Sequence, residues 1–549
     1  MLIKPASGFK LHEVSPASRQ LDFAIQNREF LLSHYPANEK RYYVNSALVL
    51  PIVAFGLTIP AMTNADDVHN RPSVLFIAID DLNDWVGFLG GHPQALTPHM
   101  DRLARRGIVF TNAHCASPAC NPSRAAVFSG KMPWKTNVWS NKSRKFFSQH
   151  PDSRVLPHSF RDAGYVTYGT GKMMHSGAAD NKRLFAHRFD VEQRWSPLTR
   201  ELVRYTQEEL PTKGTNNPRH VVRYRGSEIM LPLNRLPSDR KPESTEGESF
   251  DWGAFDTPDS EMGDTQITDW AIKRLKSHSA TEHQKPFFLG VGYYRPHIPL
   301  FAPSKYFNRF KAAPAKLPRV DPEDLEDLSD TAREWAIEAV TAGRHDTVVA
   351  HEQWQAAVES YLACTTFVDA QIGRLIDALD ASDSSDNTII VLWSDHGWHL
   401  GEKQHWGKWT GWERSTRVPL VIVPPREAKH QIASAGKRCT VPVSLIDLYP
   451  TLVELCNLAP PNSLDGESLV PLIRNPQSSS DRIVVTSFDP GNVSLRSAGW
   501  RYLRYANESE ELYDLKEDPN EWVNLAGQPE HATRVRSFRD QVPKQALVE

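Results

Sequence analysis

Cys120-Asn121-Pro122-Ser123-Arg124, continued by Ala-Ala-Val-Phe-Ser to Gly130, places a sulfur nucleophile, a hydroxyl and a permanent cation within five positions. The small and apolar residues that follow predict a helix beginning at the motif. Cys120 then sits at the electropositive first turn, where a thiol ionises readily. Two acidic pairs lie elsewhere. Asp80-Asp81 follows the apolar run Arg71 to Ile79, and Asp395-His396 follows Thr388 to Ser394. If both runs are strands, their ends gather a mostly oxygen donor set that suits a hard dication such as calcium. Without a cation, carboxylates packed so closely repel and one is pushed towards its neutral form. Asp80-Asp81 by itself reads equally well as a solvated turn, and an isolated lysine or histidine as a surface or core group.

The elements that must position these residues alternate. The run to Ile79 is apolar throughout, as expected of a strand buried on both faces. Pro98 to Arg106 predicts a helix opened by proline and closed by Gly107, with Ile108 to Phe110 the next strand. Further strands are expected at Tyr165 to Gly169, Phe287 to Gly292, Thr388 to Ser394 and Pro419 to Val423, and helices at Asp259 to Ser277 and Gln353 to Ala381. Such alternation argues for a doubly wound α/β fold on a mostly parallel sheet, whose ligands collect at the carboxyl ends of the strands. Arg183 to Glu248 lacks periodicity and reads as inserted loop structure. Asn475 to Asp481 reads as a linker, and Ile483 to Leu525 as the short strands of a small C-terminal α+β subdomain. The expected division is a leader over 1–65, a catalytic domain over 70–474 and a C-terminal subdomain over 475–549.

Composition narrows the classes. With 549 residues, 40% hydrophobic and 23% charged, the chain is a globular protein with a sizeable core. A net charge of -3 excludes a molecule-wide basic field, and no nucleic-acid partner is expected. The five cysteines, at 115, 120, 364, 439 and 456, have no metal-finger spacing, and their odd number leaves at least one unpaired. Lys40-Arg41, the apolar run Ala47 to Met62 and Thr63-Asn64-Ala65 read as a signal peptide, so the protein is expected to be exported, to a periplasmic, secreted or lysosome-like compartment. The run is shorter than the roughly 20 apolar residues of a membrane span, and Pro51 and Pro60 interrupt it, so no stable span is expected.

Cys-x-Pro-Ser-Arg with the trailing Ser-Gly resembles the signature of the type I, formylglycine-dependent sulfatases. Asp80-Asp81, Gly171-Lys172-Met-Met-His175, Arg295-Pro296-His297, Ser394-Asp395-His396-Gly397 and His405-Trp-Gly-Lys408 follow in that family's order, as does the closing Glu511-Leu-Tyr-Asp-Leu515 segment. The resemblance runs from about residue 70 to the end. Gly-Lys-x-x-His, Tyr-x-Arg-Pro-His-Ile-Pro and Asp-His-Gly-Trp-x-Leu-Gly-Glu are most similar to the iduronate-2-sulfatase branch. His396 stands where many sulfatases carry Asn, but it fits this branch.

The resemblance implies an alkaline-phosphatase-like sandwich and hydrolysis of a sulfate monoester, with a sulfated carbohydrate as substrate. It implies that a formylglycine-generating or equivalent maturation enzyme oxidises Cys120 to formylglycine. One Ca2+ ion would be held by Asp80, Asp81, Cys120, Asp395 and His396. Arg124 would orient the aldehyde hydrate, and Lys172, His175, His297 and Lys408 would supply donors to the sulfate oxygens. The hydrate would attack sulfur, His297 or Lys408 would protonate the leaving alcohol, and His175 would assist release of sulfate. His405, Trp406 and Trp409 would shape the substrate mouth, or simply pack. A phosphoester hydrolase on the same scaffold and a non-catalytic binder of sulfated glycan are the alternatives, and the complete Cys120 motif argues against both.

Overall fold

A computed structural model describes residues 71–191, 197–198, 220–240, 249–281, 285–339, 342–426 and 435–547. The expected leader lies outside them, as does much of the stretch read as inserted loop.

Eight strands make the main sheet: β1 (Ser73–Ile79), β2 (Ile108–Phe110), β3 (Val166–Gly171), β4 (His187–Phe189), β5 (Phe287–Tyr293), β6 (Thr388–Ser394), β7 (Leu420–Val423) and β8 (Arg438–Cys439). Their order across the sheet is β8-β2-β7-β6-β1-β5-β3-β4. Every pairing is parallel except the two made by β7, so the expectation of a mostly parallel sheet holds.

β1 lies at the centre because no residue in it is polar after Ser73, and both faces can be covered. Val74, Phe76 and Ala78 face a layer that includes Ala125, Val127 and Phe128 of α2 (Cys120–Ser129). Leu75, Ile77 and Ile79 face the opposite layer. There α1 (Pro98–Arg106), α3 (Gly263–Thr281) and α4 (Trp354–Asp380) supply Met100, Leu103, Ile267, Ala271, Ile372 and Leu375. This is the alternation of a strand with period two between two helical layers. Glycine is required where β3 meets β5. A Cβ on Gly171 would lie 1.9 Å from the Gly292 carbonyl oxygen, and one on Gly292 would lie 2.1 Å from that of Lys172.

Two expectations need correction. Part of the stretch read as loop is ordered: His187–Phe189 extends the main sheet, and His220–Tyr224 and Ser227–Leu231 form a hairpin. Its turn, Arg225-Gly226, has positive φ at both positions, the geometry of a tight two-residue hairpin turn. The helix expected from Asp259 starts at Gly263, after a 3₁₀ turn over Asp259–Glu261.

The C-terminal strands β9 (Val484–Asp489), β10 (Asn492–Arg496), β11 (Trp500–Arg504) and β12 (Glu510–Asp514) form an antiparallel sheet in chain order. Val535 and Phe538 of a covering helix (Ala532–Arg539) pack on Leu495, Tyr502 and Leu512. No described helix is long and apolar enough to cross a membrane.

Candidate active site

Strand register decides which residues meet. Ile79 pairs with Ser394 on one side and Tyr293 on the other, and Gly171 pairs with Gly292. Asp80, Asp395 and Lys172 therefore leave the sheet at one level, and α2 presents Cys120 to them from its first turn.

Asp80, Asp81, Cys120 and His396 converge so closely that one ligating atom from each lies within 4.8 Å of the others. The His396 Nε2 is 3.4 Å from Asp81 Oδ1, 3.6 Å from Asp395 Oδ2 and 3.4 Å from Cys120 Sγ. Asp81 adopts φ of 62°, a left-handed geometry that Asp tolerates better than most residues, and its backbone N–H donates to Asp395 Oδ1 at 3.1 Å. Its Oδ2 is buried with no hydrogen-bond partner. An acidic oxygen left bare beside two further carboxylates suits a cation. The donor chemistry also fits: with sulfur at position 120 the set is mixed, whereas an oxygen substituent there makes it the oxygen-rich set of a hard dication.

Cations surround the anionic cluster. Lys172 Nζ lies 2.5 Å from Asp80 Oδ2, and Lys408 Nζ lies 2.7 Å from Asp81 Oδ1 and 2.9 Å from Cys120 Sγ. Arg124 is fully buried. Its Nε donates to Asp395 Oδ2 at 2.7 Å, its Nη2 lies 3.3 Å from Asp80 Oδ1, and its Nη1 donates to the carbonyls of Lys172 and Met173. His175 lies near the Cys120 sulfur and favours its ionised form. The His297 Nε2 stands 4.0 Å and 3.9 Å from Asp80 and Asp81, with 21% of its side chain exposed.

These neighbours set the protonation states. Burial pushes the Cys120 thiol up, but Lys172, Lys408 and His396 outweigh it and hold the thiol well below its usual range. Burial and Cys120 raise the Asp80 carboxyl, and Lys172, His297 and Arg124 together hold it well below the carboxylate range. Burial opposes charge on His396, yet Asp395 raises it to about 8. Burial pushes Asp395 up to about 6 against the pull of Arg124, so it is ionised at neutral pH. The His175 imidazole is lowered by burial and stays neutral. The centre is thus a site for an anion and a cation together.

All ten residues expected at the site are in this cluster or lean on it. Arg124 grips Asp395 and Asp80 from within the core. Cys120 is fully buried. His405 and Trp406 are buried too, at 2% exposure each, with Trp406 stacked on Trp252 at 6.0 Å, so they pack and do not line a mouth. All five cysteines are buried and unbonded.

Sequence reasoning missed two supports. Tyr361, on the inner face of α4, donates its hydroxyl hydrogen to the Asp81 carbonyl at 2.8 Å and accepts from Asn83 N–H at 2.9 Å. Asp264, in the first turn of α3, accepts the N–H groups of Tyr294 and Arg295, each at 2.9 Å, and so holds the loop that carries His297. Tyr361 gave no signal beyond helix periodicity, while Gly263-Asp264 at a helix start was a weak one.

A sequence model of the sulfatase family matches residues 72–458. The chain belongs to the sulfatase family. A second model, of the N-sulphoglucosamine sulphohydrolase C-terminal region, matches residues 401–547 of this sulfatase. A sulfatase from Formosa agariphila is 32% identical over 491 residues, spanning 86% of this chain and 87% of its own. Human iduronate 2-sulfatase is 28% identical over 429 residues, spanning 73% and 71%. The solved structure of a 2-O GAG sulfatase superposes with a TM-score of 0.60 at 22% identity, covering 86% of this chain and 91% of the other. The fold is the alkaline-phosphatase-like one with a mostly parallel sheet and a C-terminal subdomain, and the protein is a sulfuric ester hydrolase.

Proposed function

We propose that this sulfatase removes sulfate from a carbohydrate monoester, a 2-sulfated uronate or related sugar, in the manner of the iduronate-2-sulfatase branch. The reading rests on Cys120 being converted to formylglycine by a maturation enzyme, and on one calcium held by Asp80, Asp81, Asp395, His396 and residue 120. The observation that carries it is the enclosure of Cys120 by Lys172, Lys408, His175 and His396 beside an acidic pair with a bare oxygen. The likeness to human iduronate 2-sulfatase and to a 2-O GAG sulfatase supports the choice of sugar and position. Export through the apolar run at Ala47 to Met62 would place the enzyme among extracellular polysaccharides. The chain is divided, in this reading, into a leader over 1–65, a catalytic part over 70–474 and a subdomain over 475–549.

When present, a hard dication here neutralises sulfate charge and acidifies a hydroxyl, and a hydrated aldehyde at position 120 supplies that hydroxyl together with a second one able to expel sulfate. The remaining work falls to this chain's side chains. Lys172 and Lys408 aim ammonium groups at the position-120 substituent and bind the non-bridging oxygens of the ester. Arg124 fixes Asp395, whose carboxylate accepts a proton from the attacking hydroxyl. His297, the partly exposed member, carries a proton at Nε2 to the departing alcohol, with Lys408 the other donor in reach. Neutral His175 takes a proton from the residue-120 side as sulfate leaves. Arg and Lys residues of the 139–150 and 183–248 segments would select the sugar.

The test is sulfate release from desalted oligosaccharides carrying 2-sulfated uronate, from an aryl sulfate and, in parallel, phosphate release from the matched phosphate ester, after co-expression with a maturation enzyme. Peptide mass should show aldehyde in place of the Cys120 thiol, and Cys120→Ala should abolish turnover. Undiminished turnover with an intact thiol overturns the mechanism, and preference for phosphate overturns the substrate class. Glycan binding without turnover identifies a binder instead.

A further inference from the structure

Lys408 is delivered to the site by an irregular piece of chain. Between Gly401 and Trp409, five residues have positive φ: Gly401 at 117°, Lys403 at 56°, Gln404 at 50°, Gly407 at 109° and Trp409 at 84°. Three of these carry side chains, and such conformations persist only where the surroundings over-determine them. Regular structure contributes little, since the ladder here consists of His399 opposite Gly407 and Leu400 opposite Trp406. Yet the lysine has to be placed closely, with Nζ 2.9 Å from Cys120 Sγ and 2.7 Å from Asp81 Oδ1 on two other elements.

One imidazole spans the gap between this segment and the rest of the fold. His405 is buried, with Nδ1 2.8 Å from the Ala336 carbonyl oxygen and Nε2 3.1 Å from the Lys408 carbonyl oxygen. Ala336 belongs to the last turn of the helix Asp330–Ile337, where carbonyls have no partner within the helix. A ring protonated on both nitrogens donates to both carbonyls and bridges them, whereas a neutral ring donates to one and turns a lone pair towards the other. His399 packs edge-on against it, with ring centroids 5.0 Å apart, which prevents the imidazole from turning away.

We propose that His405 is a positioning residue for sulfate-ester hydrolysis: it braces the Lys408 backbone against the helix end at Ala336 and so fixes where the Lys408 ammonium meets the position-120 substituent. His405 touches neither substrate nor the reacting atoms. The inference rests on the assignment of Lys408 as a site cation, and the experiment separates the two.

The experiment is a double-mutant cycle on the mature enzyme, with sulfate release measured for wild type, His405→Ala, Lys408→Ala and the double variant, and thermal unfolding recorded for each. His405→Ala is expected to lower kcat on the order of 10- to 100-fold, the scale of a misplacement near 1 Å. KM should move by less than about threefold, since an interaction made in the transition state is what is lost. In the Lys408→Ala background the same change should cost almost nothing more. His405→Gln, whose amide still donates to one carbonyl, should recover part of the rate. It also serves in the cycle if the alanine variant does not fold. Equal loss in both backgrounds, or unchanged kcat for a folded His405 variant, overturns the brace and leaves the Lys408 assignment standing. Unchanged turnover in Lys408→Ala overturns both.

Discussion

Truncating Arg124 tests whether the site is held together from beneath. The guanidinium reaches Asp395 Oδ2 at 2.7 Å, Asp80 Oδ1 at 3.3 Å and the carbonyls of Lys172 and Met173, joining α2 to the ends of β1, β3 and β6. With charge centres about 4 Å apart and an effective dielectric near 20, each carboxylate attraction is worth about 4 kcal/mol before desolvation. Desolvation cancels much of that, but it is not recovered when one partner is deleted, because two carboxylates stay buried. Arg124→Ala should therefore cost ~3–5 kcal/mol of stability. Arg124→Lys keeps the charge but cannot span both acids, and should fall between the two. The assay is equilibrium urea unfolding at neutral pH with a chelator present, so that no cation compensates, alongside sulfate release. Loss of activity with a stability change below about 1 kcal/mol would refute the argument, since Arg124 would then be acting on the reacting atoms and not on the frame. Lysine as damaging as alanine would also count against it, because it would remove the charge contribution.

Three other expectations follow from particular contacts. Asp81→Asn should abolish metal-dependent turnover and destabilise the metal-free protein, because it removes the charge partner of the buried Lys408 ammonium, 2.7 Å from Asp81 Oδ1; elemental analysis and melting with and without chelator check this, and full turnover after exhaustive chelation refutes it. Glu511→Gln should weaken the C-terminal subdomain by ~2–3 kcal/mol. Its carboxylate accepts from Trp412 Nε1 at 2.8 Å and from the Tyr505 and Tyr513 hydroxyls at 2.7 and 2.8 Å, and an amide brings its own donors against them; urea unfolding reads the loss. Burial pushes the half-buried Asp489 carboxyl from 3.8 up to about 6, so the folded state holds its proton where the unfolded state has released it. Stability from this group is then lost as pH rises from about 4 through about 6. Asp489→Asn should gain ~1 kcal/mol at pH near 7.5, allowing for solvent screening, and nothing near pH 3.5; equal gain at both values refutes the assignment.

The sequence by itself determined the family, the alternating order of strands and helices, and nearly every residue of the centre. Apolar runs such as Val74 to Ile79 have one low-energy environment, between two helical layers, and the polar pairs that end them mark where ligands gather. A motif such as Cys-x-Pro-Ser-Arg combines chemistry with a helix start, so its place could be read without coordinates. Strand limits came within a few residues for the same reason. The hairpin at His220–Leu231 was missed because its stability comes from pairing across a turn, which leaves little periodicity in a charged stretch.

What tertiary structure decided was separation and direction. Ile79 opposite Ser394 is a matter of register between segments 315 positions apart, and a slip of one residue would turn each side chain to the other face. Arg124 was legible as a cation, but its attachment to Asp80 and Asp395 needed α2 to pack beneath both strand ends. His405 was legible as an aromatic near Lys408, yet its placement between two carbonyls depended on a helix end nearly seventy residues earlier. Residue types specify which chemistry is available. Long-range packing specifies which atoms approach within 3 Å, and charge pairing over such distances depends on that approach.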